Sequence, residues 1–124
     1  DASALPALRH ILAYQENHNP AMLRATDVMA VVTSEDEVEP GLATRWETSV
    51  HSLRIIHTQP RQEADAVVAA LRADYARAPR PGYVWASGEG ELAKSVRGLA
   101  VNEWGLDTTD VTWVPYWFYG RARP

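Results

Sequence analysis

The chain contains no cysteine, so it forms no disulfide, uses no thiol nucleophile and holds no metal through thiolates. No apolar run approaches the length of a membrane-spanning helix, and no secretory leader is visible. The 12 lysines and arginines are scattered and are outnumbered by 16 acidic residues. A nucleic-acid-binding surface is therefore not expected. These absences favour a cytoplasmic protein without a membrane span.

The sequence does contain enough apolar and aromatic material for a folded core. Of its 124 residues, 46% are hydrophobic and 5 are tryptophan, a composition that argues against a disordered chain. The length suits one domain with a sizeable core. We expect that domain to cover residues 1–124.

Hydrophobic periodicity predicts four short strands separated by helices. The strands are expected at Val28–Val32, Leu53–His57, Tyr83–Ala86 and Val111–Val114. The helices are expected from Ser3 or Ala4 to about Asn17–Pro20, from Gln62 to about Ala76, and from the turn Ser87–Gly90 to Trp104, with Gly105 as C-cap. The acidic segment from Ser34 to Ser49 is expected to be a loop or a short irregular helix.

This order of elements predicts an α/β fold with right-handed crossovers and a mostly parallel sheet. Such sheets bind ligands at the carboxyl ends of their strands. The first helix of such a domain normally follows a central strand, which we expect to precede Asp1 in the parent protein. Without that strand, the strands at Val28 and Tyr83 must pair directly, or the sheet must borrow a strand. An exposed sheet edge also allows a dimer.

Two strand-to-helix turns are candidates for ligand binding. The small residues and free amides of Asp1–Ala7 favour a phosphate at the helix N-terminus, although they fit a plain capped helix as well. The glycines of Trp85–Glu91 permit a tight turn and close approach to a planar ring or a phosphate. In the plainer interpretation, Glu89 and Glu91 only complement the dipole of the next helix.

Three motifs, in this order, resemble those of the siderophore-interacting protein family. The matching segments are Ser3–Ala7 for its D-E-T-A-L-P-A motif, Trp85–Glu89 for W-x-A-G-E, and Tyr116-Trp117 followed by Gly120 for Y-W-R-x-G. Arg97 resembles the arginine in the helix after W-x-A-G-E. The resemblance covers the whole chain but only the C-terminal half of the family, so the flavin-binding barrel is absent from this chain.

The resemblance implies a three-layer, ferredoxin-reductase-like NAD(P)-binding domain that lacks its first central strand. Members of the family are flavoproteins that take electrons from NADPH or NADH, pass them through FAD and reduce the iron of a ferric siderophore. The implied partners are an N-terminal flavin-binding domain of the parent chain, which holds most of the FAD, and a ferric siderophore as substrate. The isolated domain is expected to be inactive.

The resemblance also implies roles for particular residues. Ser3 and Ala4 would face the cofactor pyrophosphate, Gly88 and Glu89 would lie near nicotinamide and flavin, and Trp117 would lie close to the flavin face. The implied cofactor-binding residues are Asp1, Ser3, Ala4, Arg61, Ser87, Gly88, Glu89, Tyr116 and Trp117. Glu89 and Trp117 are the implied catalytic residues.

Three positions depart from the family pattern. Ala2 replaces the second acidic residue of the first motif, and Phe118 replaces the arginine of Y-W-R-x-G, for which Arg121 or Arg123 is the candidate substitute. Thr58 stands where an arginine that could hold a 2′-phosphate often follows the second strand, and Arg61 is the nearest replacement. Arg61 therefore favours NADPH over NADH.

Two other functions fit the same sequence. One is a non-catalytic nucleotide-binding or regulatory module, which Phe118 favours slightly. The other is an interaction domain that uses the aromatic tail as its contact surface. The 4 histidines show no metal-ligand spacing, no Ser-His-acid set can be assembled, and the glycine-rich turn lacks the Gly-Lys-Ser/Thr ending of a Walker loop.

Overall fold

The computed structural model describes residues 1–121, and the contacts of the chain divide it into two compact units, Asp1–His57 and Thr58–Pro124. Each unit contains one pair of parallel strands with helices packed around it. Among residues 1–121, no helix combines the length and the apolar composition needed to cross a membrane.

The first unit is built from three helices and two strands. They are α1 (Leu5–His18), α2 (Pro20–Arg24), β1 (Asp27–Val32), α3 (Leu42–Trp46) and β2 (Ser52–His57). Asn19 ends α1 and caps α2, because its side-chain oxygen accepts a hydrogen bond from the Met22 amide at 3.1 Å. Pro20, at the first position of α2, has no amide hydrogen to leave unpaired. The sequence did not predict α2 as a separate helix.

The strands β1 and β2 pair in parallel along their whole length, from Asp27 opposite Ser52 to Val32 opposite His57. Buried apolar side chains of the helices and strands form the core of this unit. Its buried members are Leu5, Leu12, Leu23, Val28, Ala30, Leu42, Trp46 and Val50. The segment between the strands contains a 3-10 turn at Glu35–Glu37 and the short helix α3, which confirms the expected irregular helix.

The described residues of the second unit form two α-helices and two strands. They are α4 (Glu63–Asp74), β3 (Val84–Glu89), α5 (Gly90–Gly98) and β4 (Val111–Trp117). The strands β3 and β4 pair in parallel, with a register shift between Gly88 and Glu89. The α/β class and its parallel pairing are therefore confirmed in both units. In the described residues, the ladders join β1 to β2 in the first unit and β3 to β4 in the second.

The predicted turn at Ser87–Gly90 is also wrong, because the strand continues to Glu89 and α5 begins at the next residue. The neighbouring strand keeps these small residues in the ladder, and the Ser87 hydroxyl adds a hydrogen bond to the Val114 carbonyl at 2.9 Å. Gly88 has a φ of 133°, a conformation that other residues rarely adopt, and it lies at the register shift.

The helix after β3 changes its winding before it ends. From Leu99 to Glu103 it is a π-helix, in which the Trp104 amide bonds the Leu99 carbonyl at 3.1 Å. Trp104 is the C-cap residue, and Gly105 follows it with a φ of 71°, so the predicted glycine C-cap is displaced by one residue. The predicted end of this helix is thus correct to within one residue, although its last turn is wider than an α-helix.

Leu12→Ala is expected to lower the free energy of unfolding by about 2–5 kcal/mol, because Leu12 is fully buried in the core of the first unit and the substitution leaves a cavity. The control is Met22→Ala, whose side chain is 50% exposed and whose loss is expected to change stability by less than about 0.5 kcal/mol. Urea denaturation followed by circular dichroism measures both. Equal effects of the two substitutions would contradict the core described above.

Candidate functional site

The carboxyl end of β3 leads directly into the first turn of α5, and Glu89 joins the two. Glu89 is 3% exposed, and its Oε2 accepts a hydrogen bond from the Leu92 amide at 3.1 Å. This bond caps the helix, as expected when an acidic side chain stands at a helix N-terminus. The capping role predicted as the plain interpretation of Glu89 is therefore present, and the buried carboxylate also lines a cavity.

Phe118 packs against the beginning of α5. A Cβ atom added to Gly90 would overlap three carbon atoms of the Phe118 ring, so only glycine leaves room for the ring here. The residue that replaces the family arginine thus fills space beside the W-x-A-G-E segment. Arg121 returns a positive charge to the same place, because its guanidinium carbon lies 4.7 Å from the centre of the Phe118 ring. Arg123, the other candidate substitute, lies outside the described residues.

Tyr119 connects the end of β4 to the beginning of α4. Its hydroxyl donates a hydrogen bond to Oε2 of Glu63 at 2.6 Å and accepts one from the Arg61 amide at 3.1 Å. The guanidinium of Arg61 stacks over the Tyr119 ring, with 4.8 Å between its central carbon and the ring centre. Arg61 has a φ of 69°, a left-handed conformation that is uncommon for a residue with a side chain.

Glu63 is the residue that sequence reasoning missed. It is 4% exposed, and its Oε1 is buried without a hydrogen-bond partner among the described residues. An acidic residue in the first turn of a helix is ordinarily a solvated complement to the helix dipole, so nothing in the local sequence indicates its burial. The aromatic tail was the one available signal, because Tyr119 lies within it.

A cavity of about 270 Å³ opens among these side chains. It is lined by Arg61, Glu63, Ala64, Glu89, Glu91, Phe118, Tyr119 and Arg121. The structure therefore brings together two of the predicted site residues, Arg61 and Glu89, with the candidate Arg121. It adds Glu63 and Tyr119 to them.

Burial raises the pKa of the Tyr119 hydroxyl above the ordinary tyrosine value of 10.0, and the hydrogen bond to Glu63 raises it further. The charge of Glu89 also contributes to this rise, whereas the hydrogen bond from the Arg61 amide lowers the pKa. Tyr119 is therefore held in its neutral form, in which it can donate to the carboxylate.

The remaining predicted residues of the second unit lie on its strands. Ser87 and Gly88 are buried in β3. Tyr116 is 40% exposed, whereas Trp117 is half-buried and packs edge-on against Tyr119 with 4.6 Å between ring centres. Trp117 therefore supports the ring that holds Glu63.

The turn Asp1–Ala4 belongs to the first unit, and its Ser3 and Ala4 amides are already occupied. The carboxylate of Asp1 accepts hydrogen bonds from the Ser3 amide at 3.0 Å and the Ser3 hydroxyl at 2.6 Å. The Ala4 amide donates to the Asp1 carbonyl at 3.0 Å. Asp1 thus stands where an anionic ligand of this turn would bind, and a phosphate must displace its carboxylate to reach the Ser3 amide.

Gly90→Ala is expected to displace the Phe118 ring and to destabilise the protein, although alanine is intrinsically the better helix former by about 1 kcal/mol. Gly98→Ala is the matched control. Gly98 lies in the same helix with nothing closer than 3.9 Å to an added Cβ, so this change is expected to be neutral or stabilising. Urea denaturation measures stability, and the NMR signal of the single phenylalanine reports the ring. An unchanged signal in Gly90→Ala would contradict the packing.

Tyr119→Phe is expected to lower the free energy of unfolding by about 1–3 kcal/mol, because the buried Glu63 carboxylate loses its donor. Since the pKa of Tyr119 is raised on folding, its contribution is complete below about pH 10 and is lost as the pH rises through the folded-state value. Between pH 7 and 11, the free energy of unfolding of the variant should therefore fall less than that of the wild type, as measured by urea denaturation. The exposed Tyr14→Phe serves as control at neutral pH and should match the wild type.

One of the comparisons with known proteins agrees with this assembly of motifs. The family model described as siderophore-interacting protein matches residues 1–120, which is nearly the whole chain. No significant match is found among curated proteins or among solved structures. That family is associated with the reduction of ferric siderophores. A match of this extent shows that the chain belongs to the siderophore-interacting protein family.

Proposed function

We propose that this chain is the NAD(P)H-binding part of a flavin-dependent reductase that releases iron from ferric siderophores. The observation that carries the proposal is the cavity at the carboxyl ends of β3 and β4, where parallel sheets bind their ligands. Membership of the family supplies the class of reaction. The flavin-binding domain of the parent chain is the proposed partner.

The cavity fits one end of a nicotinamide cofactor. At about 270 Å³ it is close to the lower limit of small-ligand sites, so it suits a single ring with its substituent rather than a whole dinucleotide. The buried Glu63 oxygen without a partner supports a ligand that brings a hydrogen-bond donor. The family motif at Gly88 and Glu89 is the segment proposed to lie against the nicotinamide.

The pyrophosphate is proposed to bind at the turn Asp1–Ala4, because this turn begins the first helical segment and carries the small, exposed Ser3. The Asp1 carboxylate already accepts the hydrogen bond of the Ser3 amide. A bound pyrophosphate would therefore replace the carboxylate as the acceptor of this bond. This exchange leaves the turn capped in both states.

When bound, the cofactor supplies a hydride to the flavin, and the reduced flavin supplies single electrons to iron(III), which the siderophore holds more weakly as iron(II). The contribution of this chain is to position and cover the reacting rings. Glu89 fixes the start of α5, and the aromatic side chains of Tyr116 and Trp117 are proposed to lie near the flavin face. Arg121 is proposed to replace the missing arginine as the cation that an anionic ferric siderophore meets.

A non-catalytic nucleotide-binding module is the second candidate, and Phe118 is the observation that favours it. The aromatic ring in place of the family arginine covers the beginning of α5. In this alternative, the chain binds the nucleotide but does not pass electrons to a flavin. Dimerisation through a sheet edge also stays a prediction, although Pro115 removes one backbone donor from β4.

Ser3→Glu is expected to weaken the binding of NADPH, NADH and ADP-ribose at least tenfold, because a negative charge would face the pyrophosphate at the first turn. Titration of the intrinsic tryptophan fluorescence measures the three affinities. Thr48→Glu adds the same charge at another exposed position of the first unit and is expected to leave the affinities unchanged.

Absence of binding by any of the three nucleotides would refute both nucleotide-binding functions. Binding that Ser3→Glu does not weaken would instead refute the proposed place of the pyrophosphate. The two functions separate when the flavin-binding domain is added and flavin reduction by NADPH or NADH is followed by absorbance. Reduction supports the reductase, and nucleotide binding without reduction supports the non-catalytic module.

A further inference from the structure

Glu63 lines the cavity, and its buried oxygen Oε1 has no hydrogen-bond partner among the described residues. The other oxygen, Oε2, is satisfied by the Tyr119 hydroxyl, which fixes the carboxylate in place. A buried carboxylate oxygen without a donor is energetically costly. A ligand that brings an N–H group to Oε1 removes that cost and gains affinity from it.

Two arginines at the same cavity can donate hydrogen bonds, whereas the Glu63 oxygen can only accept them. The guanidinium groups of Arg61 and Arg121 stack on the rings of Tyr119 and Phe118, and neither makes a hydrogen bond or ion pair with another described residue. Arginine carries five N–H donors and no acceptor. The cavity therefore offers a carboxylate acceptor and guanidinium donors next to two aromatic rings.

A primary carboxamide on a flat ring complements this set of groups. Its NH₂ group donates to Oε1 of Glu63, its carbonyl accepts from a guanidinium, and its ring packs against an aromatic face. A carboxylate in the same place would be repelled by Glu63, Glu89 and Glu91. A methyl ketone would satisfy the arginines but leave Oε1 without a donor.

We propose that Glu63 accepts a hydrogen bond from the carboxamide of the nicotinamide ring and thereby selects nicotinamide cofactors over analogues that lack this N–H group. The inference rests on the proposed function, since it assigns the cavity to the nicotinamide end of NADH or NADPH. It makes Glu63 a specificity-determining residue and Tyr119 the residue that positions it.

The test is calorimetric titration of the 124-residue protein with NAD⁺, with its 3-acetylpyridine analogue and with its nicotinic acid analogue. A hydrogen bond to a charged acceptor is expected to make NAD⁺ bind at least about tenfold more tightly than the methyl ketone. The nicotinic acid analogue is expected to bind more weakly still. In Glu63→Gln, the side-chain carbonyl keeps the Tyr119 hydrogen bond and the NH₂ group faces the cavity. The preference for NAD⁺ over both analogues should then fall to about one or reverse.

Asp65→Asn is the matched control, because it removes the same charge from an exposed position of α4 that does not line this cavity. It is expected to keep the wild-type ratios. Equal binding of the three ligands by the wild type, or unchanged ratios in Glu63→Gln, would overturn the role of Glu63 while leaving nucleotide binding intact. Failure of all three ligands and of ADP-ribose to bind would overturn the proposed function as well. The relative affinities of the wild-type protein for NAD⁺ and the two analogues test the proposal even if Glu63→Gln does not fold.

Discussion

The hydrogen bond from the Tyr119 hydroxyl to Glu63 is the interaction on which the cavity of the second unit depends. It joins the residues that follow β4 to the first residue of α4 and keeps a carboxylate buried. The amide of Arg61 donates to the same hydroxyl, so the loop before α4 is held in its left-handed conformation by the same contact. Loss of the Tyr119 hydroxyl would leave the buried Glu63 carboxylate without its donor and the Arg61 amide without its acceptor.

The sequence predicted the elements whose conformation is determined by residues close together in the chain. The apolar strands, the capped first helix and Gly105 are of this kind. The turn at Ser87–Gly90 failed because its small residues fit either a turn or a strand, and the choice depends on pairing with β4 far along the chain. Glu63 could not be predicted either, because its burial depends on Tyr119, 56 residues away.

Phe118 stands where the family motif Y-W-R-x-G has an arginine, and its ring fills space at the start of α5. The ring occupies the space that Gly90 leaves open at the start of α5, where a long charged side chain would have to point elsewhere. The guanidinium of Arg121, three residues after Phe118, stacks on the Phe118 ring, and Arg121 also lines the cavity. The local charge is therefore carried by a different residue.

The position of Arg61 bears on the choice between NADH and NADPH. The sequence assigned Arg61 to a 2′-phosphate, but the structure places its side chain in the same cavity as Glu89. The 2′-phosphate and the nicotinamide are at opposite ends of the cofactor, so one small cavity does not serve both. If the nicotinamide lies against Glu89, Arg61 is a neighbour of the reacting ring and no longer an argument for NADPH.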